Sequence, residues 1–353
     1  MITVGIANDT IIALEALRRV IATNPAYKII WCAGNGQEAI VFAQKHTPDL
    51  LLMDLLMPGV DGVEATRQIM TRSPCAILLV TASLTNNVSK VFEAMRHGAL
   101  DVVSTPILGL YDGAALAEPI AQPLLDKMAM VTAIIGKSVR RGNAARVHQS
   151  CPVLRSALPQ LVVIGSSTGG PKALCKILSQ IPTSAELAIV VVQHIDKQFA
   201  AGLASWLDSQ TSLSVAVARS GDRAKPGQVL IAETNEHLVM KSDHTLTYQN
   251  VAHSHPHRPS VDIFFESVAR HWQQPAQAVL LTGMGRDGAM GMNLLHSAGW
   301  HTIAESQKSC VVYGMPRAAI EMGAATEILP VSEIASALMR SPTRLSSKKI
   351  WAF

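Results

Sequence analysis

With 353 residues, the chain is too long for one typical domain, and its length predicts two. The net charge is only +4, the basic residues form no concentrated stripe, and aromatic residues make up only 4% of the chain. The composition therefore does not favour a nucleic-acid partner. The five scattered cysteines contain no C-x-x-C pair and indicate neither a disulfide framework nor a zinc site. There is no membrane-spanning apolar run and no signal-peptide pattern at the start, so we expect a cytoplasmic protein without membrane insertion.

The first third of the chain alternates short aliphatic strands with helical segments. Five such strands are predicted before about residue 106: TVGIAN, KIIWCAG, DLLLMD, AILLVTA and DVVST. A repeated strand and helix pattern is typical of an α/β domain with a parallel, doubly wound sheet.

Three polar residues lie at the carboxyl ends of these strands, where active sites of open parallel sheets collect. Asp54 ends a fully apolar strand, and a carboxylate there can act as a nucleophile and form an acyl phosphate. Asp9 is a suitable second ligand for Mg²⁺, which prefers one or two carboxylates with water and phosphate. Thr81 could hydrogen-bond the phosphoryl oxygens. The alternative is that Asp9 and Asp54 only cap helices or turns.

The segments around Asp9, MD54LLMPGVDG and TA82S resemble the receiver domain of two-component response regulators. The resemblance implies a flavodoxin-like fold, a phosphorylated Asp54 and Mg²⁺ bound by Asp9 and Asp54. The chain departs from the receiver pattern at two positions. Asn8 replaces the first of two adjacent acidic residues, and Thr105 replaces the lysine before the proline that ends the fifth strand.

We predict domain boundaries from the change in composition along the chain. The receiver covers residues 1–106, and residues 107–156 form a partly helical interdomain linker. A second α/β domain covers residues 157–342 and is followed by a short tail, 343–353. Its predicted strands are LVVIGSS, AIVVVQH, SVAVA, QVLIA, AVLLTG, HTIAE and TEILP.

The segment GSS167TG, between the first strand and helix of this second domain, can be interpreted in three ways. It matches the G-x-S-x-G turn that holds a nucleophilic serine at the top of a sheet. It also approaches a phosphate-binding loop, but Pro171 and Ala173 break that pattern. The third interpretation is a tight turn that only caps a helix.

A serine nucleophile needs a base and a group that orients the base. His194 ends the next predicted strand, and Asp287 follows a later one. Parallel strands would bring Ser167, His194 and Asp287 to the same edge of the sheet. A histidine at a strand end taken alone would more often be structural, but three matching groups favour a catalytic site.

The sequence G283-M-G-R-D-G288 is the strongest competing motif, because it satisfies the dinucleotide-binding pattern and Glu305 ends the next strand. Two features disfavour a dinucleotide. Asp287 would direct a carboxylate at the pyrophosphate, and the motif lies late in its domain.

Four segments of the second domain together resemble the catalytic domain of CheB-type protein-glutamate methylesterases. They are IGSS167TGGPKAL, VVQH194, H257RPSVDIFF and LLTGMGRD287GAMG. A receiver in front of this domain is the same family's architecture. The start at Asn8-Asp9 and the Thr105 position also resemble the WspF subtype, and Ser166 stands where the family usually has alanine.

The resemblance implies two doubly wound domains, the second Rossmann-like without a bound dinucleotide. It implies that Ser167 attacks, His194 is the base and Asp287 orients it, with the Met284 N–H as oxyanion donor and Thr168 as support for the histidine. The implied substrate is the cytoplasmic domain of a methyl-accepting chemoreceptor, whose glutamate methyl esters are hydrolysed and whose glutamines are deamidated. The implied phosphodonor is a CheA-type histidine kinase, and ester hydrolysis itself needs no cofactor.

Other features of the second domain predict less. His253, His255 and His257 alternate and could be metal ligands, but Pro256 interrupts them, so a solvated loop is favoured. Ser260 is most simply a helix cap, and Arg258 is a candidate cleft residue. Besides the esterase, two functions stay open: a dinucleotide-binding enzyme and a catalytically silent receiver-type regulator.

Overall fold

The chain forms two compact units, Met1–Asn143 and Ala144–Phe353, in the computed structural model. The structure describes residues 1–82, 87–106, 118–135, 159–233, 236–250, 257–274 and 276–340. Most of the predicted linker, the predicted tail, His253 and His255 lie outside these ranges. No helix within them is both long and apolar enough to span a bilayer.

The first unit is a five-stranded parallel sheet with strand order β2-β1-β3-β4-β5. Its strands are β1 (Ile2–Ala7), β2 (Tyr27–Ala33), β3 (Leu50–Met53), β4 (Ala76–Thr81) and β5 (Asp101–Ser104). Its helices are α1 (Ile11–Ala22), α2 (Gly36–Lys45), α3 (Gly62–Arg72), α4 (Val88–His97) and α5 (Glu118–Ile135). This order is the flavodoxin-like one, and the winding reverses at β1 and β3. Asp9 and Asp54 therefore follow the two strands at the switch point.

Local sequence explains where these elements begin. Strand β3 is an apolar run buried along its whole length, as expected for a central parallel strand covered on both faces. Helix α2 begins after Asn35, whose side chain accepts a hydrogen bond from Glu38 N–H at 2.9 Å. Helix α3 begins after Asp61, which accepts from Glu64 N–H at 3.0 Å. Both caps satisfy amide groups that have no partner inside the helix.

Helix α5 is the helical part of the segment that we predict as a linker. Its residues Ala121, Leu124, Met128 and Val131 are buried against the core of the first sheet. Their spacing of three and four residues places them on one helix face. The first compact unit thus continues past residue 106, through a helix that shares its core.

The second unit is built on a seven-stranded parallel sheet with strand order β14-β13-β12-β6-β7-β9-β8, together with the antiparallel pair β10-β11. Its strands are β6 (Gln160–Ser166), β7 (Leu187–Gln193), β8 (Ser214–Val217), β9 (Gln228–Ile231), β10 (His237–Met240), β11 (Leu246–Gln249), β12 (Gln277–Leu280), β13 (His301–Glu305) and β14 (Glu327–Leu329). Its helices are α6 (Gly170–Leu178), α7 (Lys197–Gln210), α8 (Val261–His271), α9 (Ala289–Ser297), α10 (Met315–Glu321) and α11 (Val331–Leu338). Both sheets are therefore parallel α/β structures, and the predicted fold class is confirmed.

The register of the central strands brings the predicted catalytic segments together. Strand β6 lies between β7 and β12, and its Ser166 pairs with Gln193 of β7. Ser167 and His194 are therefore the next residues beyond a matched pair of strand ends. On the other side, Gly165 pairs with Leu280, so the loop after β12 leaves from the same edge.

Helix α8 anchors this edge to the core. Phe264, Phe265 and Val268 are completely buried, and full burial of such a side chain contributes roughly 1.5–3 kcal/mol. The loop after β12 approaches the first turn of α8 at Gly288. This residue has a φ of +87°, and a Cβ atom there would lie 2.7 Å from Val261 Cγ1. Glycine is needed for both the conformation and the close approach, which brings Asp287 to the start of α8.

Candidate active site

Ser167 lies directly after β6, in the turn that leads into α6. Its N–H donates to Thr282 O at 3.0 Å, and its carbonyl accepts from Gly170 N–H at 2.8 Å. The Gln193 side-chain amide donates to the same carbonyl at 2.9 Å. The residue is 7% exposed, so a well-fixed backbone presents this serine at the edge of the sheet.

His194 lies directly after β7, and its N–H donates to Ser166 O at 2.9 Å. Its ring nitrogen Nε2 lies 2.7 Å from Asp287 Oδ2. The other ring nitrogen, Nδ1, is buried and has no hydrogen-bond partner within the described parts of the chain. The histidine is thus held at one nitrogen and has an unused acceptor or donor at the other.

Asp287 is bound by the first turn of α8 as well as by His194. Ser260 Oγ donates to Oδ1 at 2.8 Å, Val261 N–H to Oδ2 at 2.7 Å, and Asp262 N–H to Oδ1 at 3.1 Å. The N-terminus of a helix offers unpaired N–H groups and a partial positive charge, which together stabilise an anion. Asp287 therefore has four hydrogen-bond partners around two oxygens.

These contacts determine the charge of Asp287. Its side chain is 8% exposed, and burial alone would raise its pKa. The hydrogen bond and charge of His194 and the amides of Val261 and Asp262 outweigh burial, and they lower the pKa well below its ordinary value. Asp287 is a fixed anion beside His194.

A second carboxylate lies close to this anion. Burial, followed by the charge of Asp287, raises the pKa of Asp262 to about 6. Its Oδ1 accepts a hydrogen bond from Gly291 N–H at 2.7 Å, which ties α8 to the start of α9. The pKa values of the two carboxylates shift in opposite directions, and of the two only Asp287 contacts His194.

The predicted phosphorylation site lies in the first unit. Asp54 N–H donates to Ala7 O at 2.9 Å, which joins the ends of β3 and β1. Asn8 Nδ2 donates to Asp54 Oδ2 at 3.1 Å, and Leu55 N–H donates to Oδ1 at 2.7 Å. Burial raises the pKa of Asp54 to about 6 in spite of these amide contacts, and the charge of Asp9 adds to the increase.

Thr81 ends β4 and is buried, and its carbonyl accepts from Thr105 N–H at 3.0 Å. Two lysines of this unit are already paired: Lys90 with Asp61 at 2.9 Å, and Lys127 with Asp101. Because both are paired, neither substitutes for the lysine that receivers usually carry where this chain has Thr105.

The residues around Asp54 fit a Mg²⁺ ion. Asp9 and Asp54 supply two carboxylates, which Mg²⁺ binds together with water and phosphate. Asn8 directs its Nδ2 at Asp54, and its Oδ1 accepts from Thr10 N–H at 2.9 Å. Burial, and after it the charge of Asp9, raises the pKa of Asp54, so a bound cation would favour its ionised form. Neither here nor elsewhere do the described residues contain a group of three or more acidic, histidine or cysteine side chains that could hold a metal, so water and phosphate would complete the ligand set at Asp54.

Comparisons with known proteins identify the family of each of the two units. The family profile "CheB methylesterase" matches residues 162–338, and "Response regulator receiver domain" matches residues 4–109. The chain belongs to the CheB methylesterase family. It is 48% identical to "Protein-glutamate methylesterase/protein-glutamine glutaminase 3" of Pseudomonas aeruginosa, over 95% of this chain and 98% of that protein. It is 50% identical to the corresponding protein 1 of Pseudomonas fluorescens Pf-5, over 95% of this chain and 98% of the relative.

A solved structure supports the fold of the second unit. The crystal structure of the Thermotoga maritima CheB methylesterase catalytic domain is similar with a TM-score of 0.50 and 38% sequence identity. The similarity covers 52% of this chain and 98% of that one. The predicted family and two-domain α/β architecture are thus confirmed.

Two further residues were assigned roles only through the CheB resemblance, and those roles stay predictions. The Met284 N–H makes no hydrogen bond that we find within the described residues, so it is available to a substrate oxygen. Thr168 contributes its carbonyl, which accepts from Thr282 Oγ1 at 2.9 Å. No hydrogen bond joins the Thr168 hydroxyl to His194 among the described contacts.

The loop that carries Met284 is held against the serine turn by an unexpected residue. Glu305 is 1% exposed and accepts from Thr282 N–H at 2.9 Å and from Ser309 Oγ at 2.8 Å. Burial raises its pKa. Glu305 was considered only as a ribose ligand in the dinucleotide hypothesis, whereas here it supports the strand end next to Ser167.

Two other site residues were missed in their present roles. Ser260 caps α8, as predicted, since it accepts from Ile263 N–H at 3.4 Å, but it also donates to Asp287. His257 stacks on His194, with ring centroids 4.4 Å apart and planes inclined by 20°. The motif H257RPSVD was the available signal, but its contacts with Asp287 and His194 join residues far apart in sequence.

The comparisons and the structure do not support the dinucleotide hypothesis. Asp287, inside the glycine-rich motif, uses both carboxylate oxygens to bind α8 and His194. A pyrophosphate at this loop would face that fixed negative charge.

Proposed function

We propose that this chain is a phosphorylation-regulated protein-glutamate methylesterase that also deamidates protein glutamines. The observation that carries the proposal is the His194–Asp287 pair next to Ser167, at one edge of a parallel sheet. The proposed substrate is the cytoplasmic domain of a methyl-accepting chemoreceptor. The membership of this chain in the CheB methylesterase family and the names of its relatives support this assignment.

The proposed reaction begins with attack of Ser167 Oγ on the ester carbonyl carbon of a methylated glutamate. Asp287 lies at Nε2, so Nδ1 is the nitrogen of His194 that is left to accept the serine proton. This is the reverse of the usual triad, in which the aspartate contacts Nδ1. No hydrogen bond joins Ser167 to His194 within the described residues. We therefore expect this contact to form only when substrate is bound, as is common for catalytic hydrogen bonds.

The tetrahedral intermediate carries a negative oxygen, and the Met284 N–H is the proposed donor that stabilises it. One oxyanion donor is typically worth about 10² to 10³ in turnover. His194 then returns the proton to the methoxy oxygen, methanol leaves, and an acyl-enzyme forms on Ser167. A water molecule, deprotonated by His194, hydrolyses this ester and yields glutamate. With a glutamine substrate the same steps release ammonia.

Asp287 serves this cycle by its fixed negative charge. The imidazolium that forms in each half-reaction lies 2.7 Å from a carboxylate whose lowered pKa keeps it ionised. The amides and hydroxyl of α8 hold this carboxylate in one orientation. Stabilisation of the imidazolium is thus built in before substrate binds.

We also propose that the receiver controls this activity through phosphorylation of Asp54. When bound, Mg²⁺ would neutralise charge on the transferred phosphoryl group; Asp9 and Asp54 are the residues that would hold it. The Thr81 side chain is the proposed phosphoryl contact. The proposed phosphodonor is a CheA-type histidine kinase, and the proposed location is the cytoplasm. The proposed boundaries stay 1–106, 107–156, 157–342 and 343–353, with α5 of the linker packed against the receiver sheet.

Release of methanol from a methyl-esterified receptor fragment tests the esterase directly. The intact chain should release methanol, and a fluorophosphonate that modifies serine nucleophiles should abolish the release. Ser167→Ala should release almost none in the same assay. An intact wild-type chain that binds the fragment but releases no methanol, with or without a phosphodonor, would be a silent regulator. Retention of a dinucleotide by the purified chain would support the competing enzyme class.

A further inference from the structure

The rings of His257 and His194 lie nearly parallel, with centroids 4.4 Å apart and an interplanar angle of 20°. His257 comes three residues before Ser260, which begins the turn that binds Asp287. One short segment therefore contacts both the proposed base and the residue that orients it. The proposed chemistry assigns no task to His257.

A hydrogen bond at Nε2 fixes only one point of the His194 ring. The last torsion of a histidine side chain is broad, so the ring can turn about that contact and carry Nδ1 away from the serine. A flat ring against one face removes this freedom, because a tilt would bring the two rings into collision. Close-packed side chains leave little room to relax such a clash.

We propose that His257 is a positioning residue for His194. It covers one face of the imidazole and keeps the ring in the plane in which Nε2 meets Asp287 and Nδ1 receives the Ser167 proton. This inference rests on the proposed esterase function.

The charge of His257 is compatible with this role. Its burial, followed by the charge of His194, lowers its pKa, and Asp287 acts in the opposite direction. The neighbouring charged groups are thus His194, Asp287 and, next in the chain, Arg258. A neutral His257 can lie against the imidazolium that forms at His194. Two imidazolium rings at 4.4 Å would repel each other.

The stack leaves the ring nitrogens of His257 uncovered, because a histidine binds metals in the plane of its ring and only the ring face meets His194. The described residues near it supply no third ligand.

Two substitutions in the intact chain show whether His257 acts through its flat ring or through its ring nitrogens. His257→Phe keeps the ring and removes the nitrogens, whereas His257→Ala removes the stack. We expect His257→Ala to lower kcat for methyl-ester hydrolysis by about 10- to 100-fold with a change in KM below about threefold, the signature of lost transition-state positioning. His257→Phe should keep kcat within about fivefold of wild type. His296→Ala, a histidine on α9 outside the site, is the matched control and should behave as wild type.

A second readout does not depend on turnover. In NMR spectra of the unliganded protein, the His194 ring signals, assigned by their loss in His194→Gln, should be sharp in wild type and His257→Phe. They should broaden or split in His257→Ala, as the ring samples more than one orientation. Should His257→Ala fail to fold, His257→Asn replaces it, and the proposal requires Phe to exceed Asn at least tenfold in kcat.

Three results overturn the inference. They are a folded His257→Ala with wild-type kcat, a folded His257→Phe as inactive as the alanine variant, and unchanged His194 signals in His257→Ala. If wild type itself releases no methanol, the esterase proposal fails, while the NMR comparison still decides whether His257 positions the ring.

Discussion

Asp54 and Asp287 both lie beyond the carboxyl end of a central parallel strand, Asp54 directly after β3 and Asp287 in the loop between β12 and α9, but their surroundings are opposite. Asp54 has amide donors and a neighbouring acid, and burial raises its pKa to about 6. Asp287 has a histidine and a helix N-terminus, which lower its pKa despite similar burial. The sheet edges thus hold two different carboxylates. Asp54, the uncompensated site, has no ion-pair partner among the described residues, whereas Asp287, the compensated site, is paired with His194.

The comparison shows how a sheet edge can support different chemistry. A carboxylate that forms a bond to phosphorus needs exposed electron pairs and an external cation, so its own protein partners should be weak. A carboxylate that only orients a histidine works best when every oxygen is already bound. The surroundings of each residue, more than its place in the fold, predict its task.

The largest test of the compensated site removes its reacting groups. Ser167→Ala, His194→Ala and Asp287→Ala should each reduce methyl-ester turnover by on the order of 10³ to 10⁶, as in other triads whose members act as one unit. Steady-state methanol release from an esterified receptor fragment measures the effect. A Ser167→Ala protein with near-native turnover would refute the assignment of the nucleophile.

A smaller test concerns the hydroxyl that Ser260 donates to Asp287 at 2.8 Å. Ser260→Ala should lower kcat by about 10-fold, because Asp287 loses one of its orienting hydrogen bonds. Ser260→Gly is the matched control for helix stability, since glycine caps a helix nearly as well as serine while alanine does not.

Equal loss of kcat in the alanine and glycine variants, with different thermal stability, would show that the contact with Asp287 matters for catalysis. Wild-type kcat in the glycine variant together with a loss in the alanine variant would mean that Ser260 acts only as a cap.

The sequence could predict the edge of the sheet, but only part of the network around it. Ser167, His194 and Asp287 could be predicted to lie near each other because the strand ends of a parallel sheet share one edge, and strands can be recognised from apolar runs. The donors to Asp287 come from a turn 25 to 27 residues away, and no local spacing rule connects them. The same holds for the stack of His257 on His194. Their motif could only be interpreted as a helix cap or a polar loop.

Helix α5 is a different case, because its signal was present in the sequence. Ala121, Leu124, Met128 and Val131 have helical spacing and pack against the first sheet. The change in composition after residue 106 favoured the linker interpretation, although the helix forms there and includes Pro123. Apolar periodicity was the better guide because burial against a sheet outweighs a local break.

The rate of phosphorylation at Asp54, the uncompensated site, should depend on pH. Asp54 is a nucleophile only when ionised, and its raised pKa of about 6 means that it gains a proton as the pH falls below that value. At low Mg²⁺, the rate of phosphorylation by a small phosphodonor should fall about tenfold between pH 7 and pH 5. Intact-mass measurement of an acid-stable, base-labile adduct follows the rate.

Asp54→Asn should give no adduct at any pH. Saturating Mg²⁺ should move the fall in rate to lower pH, because the cation stabilises the ionised carboxylate. A rate that is independent of pH between 5 and 7 at low Mg²⁺ would contradict the raised pKa, and the absence of an Asp54-dependent adduct with every donor would remove the phosphorylation proposal.

The smallest expected effect comes from returning a cation to the uncompensated site. Thr105 follows β5, and its N–H donates to Thr81 O at 3.0 Å, so a lysine there starts beside the proposed phosphoryl contact. A charge-assisted hydrogen bond to the phosphoryl group would favour the phosphorylated form of the receiver. We therefore expect Thr105→Lys to increase the stimulation of methyl-ester turnover by a phosphodonor by roughly two- to fivefold, with little change in unstimulated turnover.

Thr105→Gln, similar in length but neutral, should not reproduce the gain, and Asp54→Asn should cancel it. Equal stimulation in the lysine and glutamine variants would show that side-chain length, and not charge, limits the response at this position.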